Sequence, residues 1–327
     1  MKISGAISAA VAIWALSAPL AQATETLKFL MPWTSANESN AKTATAIMAA
    51  VKDATKGEIE LRLFGPSVVP PFQQLQPVSS GAFDIHYTST AYHAKETGIG
   101  QLGDTVTRDP VKRRESGYWD AIDKHYQTKH RVKVIGNAGS TGYQIILKNK
   151  IGEDGGLAGR KIRSNPAYDS LVRALGGTPV LLPPTQIYTA LEKGLVDGAA
   201  WTVHSVESNK FHEVAKILAR PTFAVSTNLL VVNLEKWKKL SPAQQKGLLE
   251  AGRKFEELAY SIPAEIAARD EAFVLKNGGA LSNFGDKYAR QINTIYNEGI
   301  WEQVIRQHGD EAREIVALIK AKNIAQQ

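Results

Sequence analysis

The sequence predicts an α/β protein of two lobes between which the chain crosses more than once, and three observations lead there. Short apolar strands alternate with amphipathic helical stretches. The 327 residues exceed one ordinary domain of roughly 100–200 residues, yet show no flexible linker, low-complexity tract or internal repeat. A helical stretch opens at Ser241-Pro242 and reaches about Lys276. About thirty-six helical residues span ~54 Å, more than one small lobe, so this element bridges two.

Residues 1–23 stand apart from the fold. Lys2 supplies a positive start, Ile3–Leu20 an apolar stretch interrupted by Ser8, Ser17 and Pro19, and Ala21-Gln22-Ala23 a small-x-small cleavage site. This reads as a signal peptide cleaved after Ala23; an uncleaved anchor is the alternative. Removing 23 of 327 residues leaves 304 and takes one positive charge from the +7 total, giving +6. No later apolar run approaches the roughly 20 residues needed to cross a bilayer. Export without a single cysteine suits a bacterial periplasm.

The elements are taken in chain order. Thr26–Met31 is a strand, Pro32–Asn40 a polar loop, and a helix carries Ala44, Ile47, Met48 and Val51 on one stripe up to Gly57. Ile59–Phe64 alternates as a second strand, Phe72–Ser80 is a helix closed by Gly81, and Phe83–Thr88 is a third strand. Val132–Ile135, Tyr143–Lys148 and Lys161–Arg163 are strands. Asn165 as N-cap and Pro166 at the first helical position open a helix over Ala167–Leu175, which ends at Gly176-Gly177. Pro179–Leu182 is a strand, Thr185 caps a helix to Lys193, and Val196–Trp201 is a strand. Phe223–Val232 is the longest strand candidate, with Asn233 placed to cap the segment after it; Pro263 should kink or break the long helix. We expect lobe I to take residues 24–145 and 232–270, and lobe II 146–231 and 271–327.

Composition excludes several chemistries. Zero cysteine removes disulfides, thiol catalysis, iron–sulfur clusters and Cys-ligated zinc. The modest positive excess is spread along the chain, and its densest run, Lys112–Arg114, is too short for a nucleic-acid tail. Gly98–Gly103 matches G-x-G-x-x-G, but no strand precedes it and Pro110 comes soon after, so it reads as a flexible loop rather than a phosphate cradle. There is no G-x-S-x-G, H-E-x-x-H or P-loop, and the seven histidines lack metal-ligand spacing. His86 and His204 read as structural histidines. No cofactor and no catalytic residue is expected.

One ordered set of motifs is more specific. Leu157-Ala158-Gly159-Arg160-Lys161-Ile162-Arg163 is followed by Leu175-Gly176-Gly177-Thr178-Pro179-Val180, then by Tyr188-Thr189-Ala190-Leu191-Glu192-Lys193-Gly194-Leu195-Val196-Asp197-Gly198. Upstream lie Leu27-Lys28-Phe29, Lys56-Gly57-Glu58-Ile59 and Val78-Ser79-Ser80-Gly81-Ala82-Phe83-Asp84-Ile85. Over essentially the whole mature chain this resembles the DctP-type extracytoplasmic solute receptors of tripartite ATP-independent periplasmic (TRAP) transporters. The resemblance implies a two-lobed, type II-like periplasmic binding protein with hinge-crossing strands. It also implies a receptor that captures a small organic acid and docks on membrane permease subunits. A sensor module of the same fold and a secreted enzyme without familiar motifs are the alternatives.

Arg163 ends a strand at a strand-to-helix junction, where α/β folds present ligand-facing groups, and a guanidinium fork matches a carboxylate. The residues alone equally allow a surface arginine paired with Asp169; the resemblance favours the first, because Arg163 matches the family's carboxylate-binding arginine. It likewise implies that Trp33, Thr88 and Ser89 line the ligand site. Trp201 stands where many members carry Asn in an E-N-P sequence, and so resembles the branch that binds 2-oxo and 2-hydroxy monocarboxylates. Thr141-Gly142 followed by Tyr143 and Gln144 is similar to that branch too, and a shift of one residue exchanges the roles of Tyr143 and Gln144. That branch often holds a cation with a Glu where this chain has Ala200, so no bound metal is expected. One arginine without a second Arg or Asn suits a single carboxylate. Trp33, Tyr143 and Trp201 would wall an apolar or ring-shaped body; core packing is the other reading of each aromatic.

Overall fold

The computed structural model describes residues 24–326; the expected leader, 1–23, lies outside the described residues. β1 (Glu25–Leu30) leads into α1 (Glu38–Ala54), where the Asn37 side chain accepts from Asn40 N at 3.1 Å. Ala44, Ile47 and Val51 bury the predicted stripe. β2 (Ile59–Phe64) and β3 (Ile85–Ser89) follow. Between them the single helix expected over Phe72–Ser80 is instead a 3-10 turn, Pro71–Gln73, and a short helix, Leu75–Ser79. Pro77 has no N–H to carry a helical bond back to the Gln73 carbonyl.

α2 (Tyr118–His130), β4 (Val132–Gly139), β5 (Tyr143–Leu147) and β6 (Lys161–Ser164) come next. Asn165 Oδ1 accepts from Ala167 N at 2.9 Å, but this closes a local turn, and regular helix begins only at α3 (Asp169–Ala174). β7 (Thr178–Leu181) precedes Thr185, which does not cap a helix: it sits in the 3-10 turn Pro184–Gln186, ahead of the helix Ile187–Glu192. β8 (Gly198–Thr202), β9 (Ile217–Arg220) and β10 (Thr227–Asn233) complete the middle of the chain. β4, with 8 residues, is longer than β10, with 7. Phe223–Val225 falls outside β10 because Ala224 adopts φ +56° and interrupts the extended chain.

α3 is followed in the helix series by α4 (Pro242–Lys276), which starts at a full capping box: Ser241 Oγ accepts from Gln244 N and Gln244 Oε1 from Ser241 N. Its 35 residues run unbroken through the buried Pro263, so the expected break does not occur and only one rung of the hydrogen-bond ladder is lost. β11 (Ala280–Asn283), α5 (Ile292–His308) and α6 (Asp310–Ala321) close the fold.

Two sheets result. One has the order β2-β1-β3-β10-β4, the other β11-β9-β5-β8-β6-β7. β1 pairs in parallel with β2 and β3, while β10 runs antiparallel between β3 and β4. In the second sheet β6 is parallel to β7 and β8, and β5 is antiparallel to β8 and β9. The chain therefore crosses between sheets after Gly139 and again between Arg220 and Thr227. α4 bridges the sheets, packing on α1 and β4 and reaching β11. Its closest approach is at Gly252, where a Cβ would lie 1.9 Å from the Ile135 carbonyl oxygen, so only glycine lets the helix lie on β4. α5 packs on both the 99–105 segment and α3, tying the C-terminal arm to each side. No described helix is long and apolar enough to cross a membrane.

Gly98–Gly103 is not the flexible loop the sequence suggested. It belongs to a buried 3-10 turn, Ile99–Thr105, in which a Cβ on Gly103 would come within 2.7 Å of the Tyr118 hydroxyl and of Thr227. Close packing explains the glycine, and no strand feeds the turn as a dinucleotide site needs.

Candidate functional site

Arg163 is fully buried near the end of β6. β6 lies between β7 and β8, so neighbouring strands supply its acceptors: Nε donates to Leu182 O at 2.9 Å and Nη1 to Ala200 O at 3.0 Å. Nη2 makes no hydrogen bond of good geometry, although the Tyr92 hydroxyl lies beside the guanidinium. The guanidinium carbon sits 5.4 Å from the centre of the Trp201 ring. Burial pulls the guanidinium pKa below its ordinary value, opposed by the nearby Tyr92 and Tyr168 hydroxyls. Arg163 directs its bonds to Leu182 O and Ala200 O, and Asp169 accepts the Ser164 hydroxyl at 2.6 Å.

Three neighbours of Arg163, namely Tyr92, Tyr168 and Trp201, line a cavity of about 20 Å³ between the two sheets. Trp33, Asn40, Ser89, Tyr92 and Asn228 face it from the β1–β4 side. Tyr143, Asn165, Tyr168, Trp201 and His204 face it from the other. The volume accommodates about one water and no organic ligand. A second cleft of about 430 Å³ shares Trp33 and Trp201 with it and widens between Pro32–Asn37 and Tyr188, Lys210 and Phe211. Trp33 and Trp201 thus stand between the interior and an outer vestibule.

Most of the polar groups around the cavity are tied down by hydrogen bonds. Trp33 Nε1 donates to the Tyr92 hydroxyl at 3.2 Å, whereas Trp201 Nε1, 4% exposed as a residue, has no partner. Tyr143 stacks edge-on against Tyr168, centres 4.8 Å apart, and its hydroxyl donates to Asp104 Oδ2 at 2.8 Å. Asp104 also receives Tyr296 OH at 3.1 Å and Thr227 N at 2.7 Å. Burial pushes its carboxyl up to about 6, against those donors. His204 is held neutral, its pKa pushed down to about 3 by burial. Across the cleft mouth Ser39 N donates to Ser205 Oγ at 3.3 Å, and Arg269 pairs with Glu38.

The structure sets Trp201, Tyr143, Trp33 and Ser89 around the cavity, holds Arg163 just behind the lining against Trp201, and leaves two expected residues aside. Gln144 follows Tyr143 on β5 and so points to the opposite face, where its Oε1 accepts from Arg220 Nη1 at 3.0 Å. Thr88 precedes Ser89 on β3 and is turned away, its hydroxyl 3.3 Å from Ser89 O. Tyr92, Asn165 and Tyr168 were missed. Asn165 carries the signal that finds it, being two residues beyond Arg163 on extended chain; Tyr92 and Tyr168 lie in short turns without a periodic pattern.

The profile described as bacterial extracellular solute-binding protein, family 7, matches residues 31–307. The chain belongs to that family. This is the TRAP solute-receptor family that the motifs resemble, a family of binding proteins that work outside the cytoplasm. The 2,3-diketo-L-gulonate-binding periplasmic protein YiaO of Escherichia coli is 26% identical over 71% of this chain and 73% of its own. A TRAP periplasmic solute-binding protein of Desulfovibrio salexigens, solved with bound orotic acid, superposes at TM-score 0.80 with 16% identity, covering 91% of this chain and 98% of its own. A Bordetella pertussis extracytoplasmic solute receptor binding pyroglutamic acid gives TM-score 0.78 at 12% identity, over 91% and 100%. At such identities the structures establish the family 7 fold, while the ligand rests on the site. Among the described residues no cluster of three or more His, Asp or Glu side chains is arranged to hold a metal ion.

Proposed function

We propose that this receptor captures a small monocarboxylate with a ring-shaped or branched apolar body and delivers it to the membrane permease of a TRAP transporter. The observation that carries the reading is the buried Arg163 guanidinium, with Nη2 unpartnered beside a cleft walled by Trp33, Tyr143, Tyr168 and Trp201. Leaving a buried charged donor unpaired costs more than an ordinary hydrogen bond returns, which makes sense where a ligand completes the shell. Tyr92, from the opposite side, covers the guanidinium in the closed geometry; parting of the lobes withdraws it and opens Arg163 to an incoming acid. Closure is then favoured by the contacts that only the closed cleft makes.

In this reading Arg163 holds the carboxylate, Trp33, Tyr143 and Trp201 form flat walls, and Ser89 and the Trp201 N–H offer polar contacts. Gln144 and Thr88 face away from the cleft and make no contact with the ligand. Orotic acid and pyroglutamic acid, named for the two solved receptors, each join one carboxyl to a ring. Export to the periplasm with cleavage after Ala23 completes the reading, and the intact mass of the secreted protein checks it.

The decisive experiment identifies, by mass spectrometry, the small molecule that co-purifies, then screens organic acids by thermal shift. At one hundred times its dissociation constant a ligand adds ~2.7 kcal/mol of stability. Arg163→Ala is expected to abolish that shift while the protein stays folded; a shift that survives removes Arg163 from the site.

A further inference from the structure

Behind β5, on the face away from Tyr143, lies a cavity of about 300 Å³ that the cleft does not explain. Its walls come from all three segments joining the lobes: Thr141 and Gly142 between β4 and β5, Thr222 between β9 and β10, and α4 from Tyr260 to Glu271. Thr141 is 6% exposed, and its hydroxyl has no hydrogen-bond partner. Arg108 enters the same wall with its guanidinium carbon 5.2 Å from the centre of the Tyr260 ring. Among the described residues it makes no ion pair, whereas Arg220 opposite is committed to Glu271 and to Gln144 Oε1. Ala264, Ala267 and Ala268 give the helix a smooth apolar face toward the space.

We propose that this hinge cavity is a second binding site, for a small carboxylate monoanion. The carboxylate meets the fork of Arg108 and the idle hydroxyl of Thr141, and a short apolar body lies along the alanine face of α4. A dianion such as phosphate is disfavoured, because Asp270 and Glu271 share the wall. An occupant touches every segment that must flex when the lobes part. The proposal goes beyond the cleft reading and does not depend on Arg163.

The test uses the mature protein and benzoate as probe, followed by ligand-observed NMR and calorimetry. Arg163→Ala protein is expected to retain one saturable benzoate site. Adding Arg108→Ala, an exposed position whose loss leaves the fold intact, should weaken that site at least tenfold. Adding Thr141→Val instead should weaken it severalfold. Inorganic phosphate should not displace the probe. Absence of saturable binding to Arg163→Ala, binding indifferent to Arg108→Ala, or displacement by phosphate each overturns the proposal. Should Arg163→Ala misfold, Arg108→Ala in the otherwise unaltered protein must still remove this one site. Loss of the cleft ligand on Arg163→Ala is read separately, by thermal shift with the co-purified acid, so either reading can fail while the other stands.

Discussion

Two guanidiniums are fully buried among the described residues, and their surroundings treat them in opposite ways. Arg113, packed against the β1–β4 side, donates through Nε to Thr107 O at 2.7 Å and through Nη1 to Asn137 Oδ1 at 2.8 Å. Its Nη2 reaches Gly103 O at 2.8 Å and Thr227 Oγ1 at 3.4 Å. All three nitrogens are used, on neutral acceptors from three chain segments, so Arg113 is a structural hub. Arg163 makes two bonds to carbonyls, and its Nη2, with no acceptor of good geometry, has only the Tyr92 hydroxyl nearby. Burial lowers the pKa of both. Burial of a charge therefore does not mark a binding site by itself; an unanswered donor at a seam between lobes does.

The comparison is broken most directly by exchanging each arginine for methionine. Arg113→Met strands several buried carbonyls and should cost about 3 kcal/mol or more, read as a fall in the denaturant midpoint. Arg163→Met removes an incompletely solvated charge and should leave stability within about 1 kcal/mol, while ligand affinity drops by roughly 2 kcal/mol or more, about thirtyfold. Equal stability losses would erase the distinction.

Acid sharpens it next. His93 and His204 are pushed down to about 3 by burial, so both are neutral when folded, whereas the unfolded chain takes up their protons near 6.5. Their contribution is complete above pH 6.5 and is lost as pH falls toward 3. Asp104, pushed up to about 6 by burial, runs the other way, holding a proton that the unfolded chain releases near 3.8. Burial lowers the pKa of His86, His130 and His308 as well, so the histidines outweigh the carboxyl and stability should fall by about 2 kcal/mol or more between pH 7 and pH 5 in denaturant titrations. The same decline is expected in Arg163→Met, whose idle donor takes no part in it.

Tyr143→Phe carries the smallest effect. It keeps the ring that walls the cavity but removes the hydroxyl held by Asp104, which retains Tyr296 and the Thr227 amide. About 1 kcal/mol of stability and less than tenfold in affinity should be lost. A larger loss of affinity would make the hydroxyl a ligand contact.

Local signals served well where they were chemically explicit. The Ser241-Pro242 start and the Lys276 end of the bridging helix were both legible, because a capping box and proline act within a single turn. Asn233 was legible as a cap, and its Oδ1 accepts from Lys236 N at 2.9 Å. The helices α2, α5 and α6 were not read, although α5 supplies Tyr296 to Asp104. The apolar residues of α5 are spread around its girth, since it packs on both α3 and the 99–105 turn, and no single stripe appears.

The sequence by itself determined the α/β alternation, the bridging helix, the family motifs and the arginine at the end of β6, because periodicity, capping and motif spacing are properties of neighbouring residues. Only the tertiary structure decided that Tyr143 rather than Gln144, and Ser89 rather than Thr88, turn toward the cleft. A strand has two faces, and which one is inward is set by pairing with distant strands. It also decided that Tyr92, seventy-one residues upstream, is among the groups around Arg163. A guanidinium left one donor short is a property of that assembly, and no reading of β6 alone contains it.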